Sequence, residues 1–243
     1  MAWSGQFVFG SAFAAYFGLS DDNDLHRHAA FQIALARSGH VALTDGAGME
    51  WRGKAFVIRP LVMHAIRGEG PLALIFCDPQ SPLALRLGDR IGPEDIGELP
   101  EAALPVARDA SPERIVETLD ALSALPPAHI DTRLAEAIAR LGADPGHISI
   151  AETAGQCGMS ESRLRGLART QLGVPLSTWL VWRKLERAAR ELASGATLAD
   201  AALAGGFADQ AHFTRAMRRM FGITPRTAGQ TLRPSGTASG TAR

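Results

Sequence analysis

The N-terminal part of the chain alternates short apolar runs with Gly, Pro and Asp. These runs are QFVFG, FQIALA, HVALTD, KAFVIRP, PLALIFCD and LALRLGD. Runs of this length, rich in β-branched and aromatic residues and bounded by turn formers, are typical of strands. Several strands at such close spacing indicate a β-sandwich or barrel. The pattern therefore predicts an all-β N-terminal region without a long amphipathic helix.

A helical period replaces this alternation in the middle of the chain. The segments SPERIVETLDAL and IDTRLAEAIARLG carry apolar residues at spacings of three and four. Ser111 is positioned to cap the first helix, with Pro112 at its first position, and Gly142 is predicted to end the second. A Pro126–Pro127 break separates them. We expect a helical connector over residues 106–146 that packs on its neighbours or forms a dimer interface.

Residues 147–232 contain one pattern twice: a short Ala-rich helix, a glycine turn and a helix with basic residues. The two copies are SIAETAGQCGMSESRLRGLARTQLGVP and TLADAALAGGFADQAHFTRAMRRMFGITP. Small residues at the turn let the first helix cross close over the second, as in a helix-turn-helix, whose second helix enters the major groove. The predicted DNA-contacting side chains are Ser162, Arg163, Arg165, Arg169, Gln210, His212, Thr214, Arg215 and Arg218. A solvated basic face on an ordinary helical domain is the alternative.

Charge divides the chain in the same way. Residues 1–146 carry 12 Lys or Arg and 19 Asp or Glu, whereas residues 147–243 carry 13 and 6. This asymmetry is expected where one part meets a polyanion, although a basic surface also serves solubility. Cys77 and Cys157 have no CxxC spacing, which excludes a zinc ribbon or disulfide framework. No apolar stretch reaches the roughly 20 residues of a membrane span, so we expect a cytoplasmic protein.

The second copy also resembles a known family. GFADQAHFTRAMRRMFGITP, preceded by LERAARELASG, is similar to the DNA-binding domain of AraC/XylS transcriptional regulators. The resemblance implies two helix-turn-helix units joined by a long helix, with double-stranded DNA as partner. RNA polymerase and a second copy of the chain are further candidate partners. Gly166 and Ala168 depart from the basic or polar residue and the aromatic that are common in the family. We therefore expect the first unit to read fewer bases.

The stretch DLHRHAAFQ offers a candidate metal or effector site. His26, His28 and Gln32 are spaced as in the first cupin motif, with Gln in place of Glu, and RPLVMH supplies His64 for a partial second motif. On a strand, His26, His28 and Gln32 share one face. Three imidazoles and an amide oxygen suit a first-row divalent metal. A bound metal ion, contact with an organic effector and no binding role all remain open.

These inferences together predict an α+β chain. Residues 1–105 form a cupin-like β-barrel that senses an effector, 106–146 the helical connector, 147–232 an all-α double helix-turn-helix domain and 233–243 a disordered tail. The predicted function is a sequence-specific DNA-binding transcriptional regulator, activator or repressor, controlled by a small molecule or metal, and not an enzyme. Two alternatives are an effector-independent regulator whose N-terminal half only dimerises, and a cupin-type metal enzyme fused to a DNA-binding domain.

Overall fold

The structure, a computed structural model, describes residues 3–100, 106–124, 130–143 and 149–229. Its N-terminal part is built from strands. They are β1 (Ser4–Phe9), β2 (Phe13–Leu19), β3 (Phe31–Ala36), β4 (Val41–Asp45), β5 (Glu50–Gly53), β6 (Ala55–Ile58), β7 (His64–Gly68), β8 (Leu72–Cys77) and β9 (Ile96–Glu98).

The strands form two antiparallel sheets. One has six strands in the order β1-β2-β8-β3-β6-β9, and the other has three in the order β5-β4-β7. β3 and β8 are buried at every position because alternate side chains face two different cores. Ile33 and Ile75 belong to one core, and Ala34 and Phe76 belong to the other. A sheet-rich N-terminal region therefore precedes a helical C-terminal part, which confirms the predicted α+β class.

Helices dominate the rest of the described chain. They are α1 (Pro82–Ile91), α2 (Pro112–Ser123), α3 (Thr132–Ala143), α4 (Ile150–Gln156), α5 (Glu161–Gln171), α6 (Leu176–Ala193), α7 (Leu198–Ala204), α8 (Gln210–Phe221) and α9 (Pro225–Gly229).

The segment LALRLGD forms part of α1, so its prediction as a strand was wrong. The Ser81 hydroxyl accepts a hydrogen bond from the Ala84 amide at 3.1 Å, and Pro82 occupies the first helical position. Leu83, Leu87 and Ile91 recur every four residues and are buried together. A capping serine, a proline at the first turn and this spacing favour a helix over a strand.

The two predicted connector helices pack on different parts of the molecule. Ile115 and Leu119 of α2 lie in the core beneath the six-stranded sheet, whereas Leu134 and Ile138 of α3 lie in the core shared with the C-terminal helices. α3 continues past Gly142, which was predicted to end it. Both apolar stripes are covered by the chain itself, so neither is an exposed face for the predicted dimer contact.

The two helix-turn-helix units have the predicted architecture. α4 and α5 are joined through Gly158, which has a φ of +65°, and Ser160 caps α5. α7 and α8 are joined through Gly206, which has a φ of +80°, and Asp209 caps α8. Positive φ at these turns favours glycine, because a side chain would clash with its own backbone. The 18-residue α6 connects the two units.

A buried polar contact ties α6 to the N-terminal sheet. Asp78, directly after β8, accepts hydrogen bonds from Trp182 Nε1 at 3.2 Å and from Arg183 Nη1 at 3.1 Å. Arg183 Nη1 also lies 2.6 Å from a Glu186 carboxylate oxygen. The N-terminal part therefore packs directly on the helix that joins the two helix-turn-helix units.

Several predictions fall outside the described residues. These are the Pro126–Pro127 break, the boundary at 146 and the tail at 233–243. Within the described ranges, none of the helices has both the length and the apolar composition that crossing a membrane requires.

Candidate functional site

The four side chains predicted as a metal or effector site lie together in the N-terminal part. His26, His28, His64 and Gln32 are at most 3% exposed. One ring nitrogen from each histidine lies within 4.8 Å of the other two. We call these four residues the histidine centre.

The route by which the histidines meet differs from the predicted strand. Within 24–30, only His26 forms a bridge, to His64, with hydrogen bonds of 2.9 Å in both directions between their backbones. The chain then bends at Ala29 and Ala30 before β3 begins. Backbone pairing with His64, rather than side-chain alternation along one strand, brings the rings together.

The Nδ1 nitrogen of each imidazole is fixed by a backbone carbonyl two residues away. The Nδ1–oxygen distances are 2.9 Å for His26, 3.0 Å for His28 and 2.9 Å for His64. A carbonyl oxygen only accepts hydrogen bonds, so each Nδ1 carries the ring proton. In a neutral imidazole, Nε2 then presents a lone pair. The local fold therefore sets the same tautomer three times.

Burial keeps these rings neutral. Desolvation is the largest cause that lowers the pKa of His26 to about 3, that of His28 to about 4 and that of His64 well below 6.5. Neighbouring imidazoles lower the pKa of His26 and His64 further. Neutral imidazole is the form that binds metal ions.

Gln32 lies against the Nε2 lone pairs of two of these rings. Its amide oxygen lies 2.8 Å from His28 Nε2 and 2.9 Å from His64 Nε2. An oxygen and an unprotonated nitrogen at this distance repel each other, unless the nitrogen is protonated, the amide turns its NH₂ group inward or a cation binds between them. The low histidine pKa values disfavour the first arrangement. The centre thus suits either a rotated amide or a cation.

Aromatic rings from the C-terminal helices cover the histidine centre. The His28 ring lies 5.8 Å from Trp182 of α6 and 6.2 Å from Phe221 of α8, with Phe76 of β8 at 5.3 Å. The same three aromatic residues border an apolar cavity of about 50 Å³. Any change in the packing of the centre therefore affects its contacts with α6 and α8 directly.

The side chains predicted to contact DNA from the first unit are on one open surface of α5. Ser162, Arg163, Arg165 and Arg169 are all exposed. Arg165 Nε donates to a Glu161 carboxylate oxygen at 2.7 Å. Arg165 is therefore held by a neighbouring acid in this conformation.

The second unit presents its predicted residues along α8. Gln210, His212, Arg215 and Arg218 are exposed, whereas Thr214 is half-buried. The Thr214 hydroxyl donates to the Gln210 backbone carbonyl at 2.8 Å, so its proton is already engaged within the helix. Of the four exposed side chains, Arg218 is paired with Asp24, so Gln210, His212 and Arg215 are the ones open to a nucleic acid.

The segment just before the histidine centre contacts the end of α8. The Asp24 amide donates to the Gly222 carbonyl at 3.1 Å, and Asn23 Nδ2 donates to the Phe221 carbonyl at 3.3 Å. Gly222 caps α8 with a φ of +68°, and a Cβ there would collide with the Asp24 carbonyl oxygen. That same oxygen accepts the Nδ1 proton of His26. Asp24 thus contacts both the histidine centre and the end of the second recognition helix.

Sequence reasoning missed Asn23, Asp24, Trp182 and Phe221 as parts of this region. Asp24 stands beside the histidine pair in the sequence, but nothing in its spacing indicates a contact with α8. Trp182 lies in α6 and is buried, but the sequence pattern gave no indication that it contacts the N-terminal part.

Comparison with known protein families identifies the C-terminal part. Residues 153–230 match the AraC-type helix-turn-helix domain family. The chain carries an AraC-type DNA-binding domain. It is a DNA-binding transcriptional regulator. The match includes α5 to α9 of the AraC-type domain and most of α4, and therefore both recognition helices.

Solved structures share the two-part architecture. An apo ToxT variant from Vibrio cholerae strain SCE256 has a TM-score of 0.61 at 12% identity, covering 92% of this chain and 98% of that one. ToxT of the same strain bound to an unsaturated fatty acid has a TM-score of 0.60 at 10% identity, covering 93% and 97%. At these identities the likeness shows a common fold alone. No curated protein matches the chain in sequence.

Proposed function

We propose that this regulator binds DNA in response to a divalent transition-metal ion held by His26, His28 and His64, with the Gln32 amide oxygen as fourth ligand. The carrying observation is that one ring nitrogen of each histidine lies within 4.8 Å of the other two, while the Nδ1 of each ring bonds to a carbonyl and leaves the Nε2 lone pair for a metal ion. Metal-binding histidines commonly donate their other ring N–H in this way.

The donor set fits such an ion. Imidazole suits zinc, copper, iron and nickel, at a metal–nitrogen distance of about 2.1 Å for zinc. Two nitrogens on one ion are then at most about 4.2 Å apart, so the rings need only a small inward movement from separations of up to 4.8 Å. The ion would supply a fixed junction between the three imidazoles and satisfy the lone pairs that face Gln32.

Contacts with the DNA-binding part support a regulatory role. Trp182 and Phe221 lie against His28, and Asp24 connects His26 with the end of α8. A ligand shifts a conformational equilibrium only if it binds one state better than another. A centre enclosed by both parts meets this condition, because separating them would expose it.

An apolar organic effector is the second candidate. The cavity between the two parts is lined mainly by apolar side chains such as Phe7, Phe9 and Phe76. Its volume of about 50 Å³ is below the roughly 300 Å³ of small-molecule sites, so such an effector would have to open it. Glu186 supplies the acidic lining and is paired with Arg183 and Arg190. We therefore propose a neutral effector here, unlike the fatty acid bound to ToxT.

Metal analysis decides between these candidates. Tag-free wild-type protein, His64→Ala and the control His40→Ala are dialysed against zinc, and bound metal is measured by elemental analysis. His40 is a matched control because it lies in the same part but pairs with Glu69 outside the centre. We expect near-stoichiometric metal in the wild type and control and a loss in His64→Ala. Metal-free wild type, or metal retained by His64→Ala, contradicts a metal centre.

DNA binding is then measured with and without zinc on duplexes selected from a random library. A change in affinity that His64→Ala abolishes supports metal-responsive regulation, whereas an unchanged affinity favours the effector-independent regulator.

An enzymatic role has little support, since no carboxylate or tyrosine side chain in the described ranges hydrogen-bonds to the three imidazoles. RNA polymerase and a second copy of the chain are further partners in this proposal, which places the regulator with DNA in the cytoplasm.

A further inference from the structure

A second cleft between the two parts of the molecule is basic. Its volume is about 480 Å³. The N-terminal part contributes Arg27, and α8 contributes His212, Arg215 and Arg219. We call these four residues the basic cleft. Arg27 lies between two residues of the histidine centre but is exposed, whereas its neighbours are buried.

The arginines of the basic cleft have no anionic partner within the described residues. Arg27, Arg215 and Arg219 take part in none of the ion pairs there, and the lining includes no Asp or Glu. By contrast, Arg218 on the same helix is paired with Asp24. Three guanidinium groups around one opening repel one another, so the site favours an anion that neutralises them.

The walls of the cleft favour an oxygen-rich anion. Ser177 and Thr178, at the start of α6, place two hydroxyl groups in the lining. Guanidinium groups bind phosphate through paired hydrogen bonds and are less strongly hydrated than ammonium groups. A phosphate group therefore matches both the charge and the donors of this cleft.

We propose that Arg27 and Arg219 bind one phosphate group of the DNA backbone, while Arg215 between them and the bases keeps its predicted base contact, so that the N-terminal part takes a direct share in DNA binding. α8 is the second recognition helix, and the flank of a helix in the major groove faces the sugar–phosphate backbone. The N-terminal part supplies a cation on that flank. A free phosphate compound has the same recognition chemistry and is the other source that the test must separate.

Salt dependence of DNA binding tests this assignment without knowledge of the operator. Binding to a random-sequence duplex is measured by fluorescence anisotropy at several salt concentrations for the wild type, Arg27→Gln and Arg27→Lys. Arg86→Gln is the matched control, because Arg86 is also exposed in the N-terminal part but lies on α1, outside the cleft. We expect Arg27→Gln to weaken binding several-fold and to reduce the slope of log K against log salt by about one unit. Arg27→Lys should keep the slope, and Arg86→Gln should behave as wild type.

A variant on the opposite wall guards against indirect effects at the neighbouring histidines. Arg219→Gln leaves residues 26–28 untouched and should reduce the slope by the same amount. The double variant should lose less than the sum of the two single losses if both side chains bind one phosphate. A strictly additive loss would contradict a common site.

A calorimetric titration of the protein with inorganic pyrophosphate, in the absence of DNA, distinguishes the two sources of phosphate. A reduced slope in Arg27→Gln supports the DNA backbone. Pyrophosphate binding that Arg27→Gln abolishes, together with an unchanged slope, assigns the cleft to a free phosphate compound and overturns the DNA assignment. An unchanged slope without pyrophosphate binding overturns the whole proposal, as does an equal slope change in Arg86→Gln.

Discussion

Asp24 and Arg218, 194 positions apart in the sequence, form an ion pair between the two parts of the molecule. Arg218 Nε donates to Asp24 Oδ2 at 2.9 Å, and Arg218 Nη2 lies 2.9 Å from the same oxygen. Arg218 is one of the side chains that the sequence assigns to DNA. In this conformation, a carboxylate of the N-terminal part pairs with the guanidinium group that a DNA phosphate would otherwise bind.

Replacing Asp24 should therefore strengthen DNA binding. Asp24→Asn removes a negative charge beside α8 and frees Arg218, and we expect about two- to fivefold tighter binding to a random duplex, since exposed ion pairs are weak. Fluorescence anisotropy at constant salt measures the change. Asp22→Asn makes the same change of charge on the same segment, where Asp22 faces Arg67 at 3.8 Å. Equal gains in both variants would assign the effect to net charge instead.

Arg215 and Arg169 should differ in how they contribute to binding. On a duplex selected from a random library, Arg215→Ala should cost about 1 to 3 kcal/mol and relax base preference, because a guanidinium group can grip guanine through two hydrogen bonds. Arg169→Ala should weaken binding to all sequences alike and reduce the salt slope by about one unit. Affinities on the selected and a scrambled duplex give both results. Equal losses on the two duplexes for Arg215→Ala would reject its base-reading role.

The glycine in the first recognition helix should be replaceable. Gly166 is exposed on α5, and a Cβ there would meet nothing within 4 Å. Alanine is favoured over glycine inside a helix by about 1 kcal/mol, so Gly166→Ala should raise the free energy of unfolding by up to that amount. Chemical denaturation followed by circular dichroism measures it. A decrease would mean that the position needs glycine for a reason other than its helical backbone.

Asp78 should give the stability of the protein a distinct pH dependence. Burial is the main cause that raises its pKa to about 6, against the opposing effect of Arg183, while Glu186 raises and Arg190 lowers it. Because the folded-state pKa lies above the ordinary 3.8, the folded protein holds this proton after the unfolded chain has released it. The contribution of Asp78 to stability is therefore present below about pH 4 and declines as pH rises to about 6.

Comparison with Asp78→Asn isolates this contribution, because the variant cannot titrate at position 78. The unfolding free energy of the wild type minus that of the variant should fall between pH 4 and pH 6, by up to about 3 kcal/mol, and then level off. Denaturant titrations at pH 4.5, 5.5 and 7.5 measure the difference. A difference that grows with pH would mean that the pairing with Arg183 outweighs the cost of burying the charge.

The DNA-binding part was predictable from the sequence because the signals that define its helices and turns are local. Caps such as Ser160 and Thr197, and the glycine turns at Gly158 and Gly206, act within a few residues, so the pattern predicts the units directly. The segment LALRLGD was wrongly predicted as a strand because a short apolar run is compatible with either a strand or a helix. Only the Ser81 cap and Pro82 distinguish the two.

The histidine centre was predictable in its members but not in its surroundings. The sequence motif identified the members of the centre, although the chain bends at Ala29 and Ala30 where the motif predicted a strand. The contact of Asp24 with Arg218 depends on how two distant parts of the chain pack. Arg27 was missed for the same reason. Its sequence neighbours give no sign that it lies beside α8, because that contact depends on the packing of two distant parts.

Gly222 limits how this regulator can be recombined with others. The residue ends α8 in a left-handed conformation and leaves the room that the Asp24 backbone occupies. A chimaera that joins this N-terminal part to another AraC-type domain would keep the contact only if that domain also has glycine at the equivalent helix end. With any other residue there, a side chain would collide with the Asp24 backbone. The chimaera would contain both parts but would lose the contact between Asp24 and the end of α8.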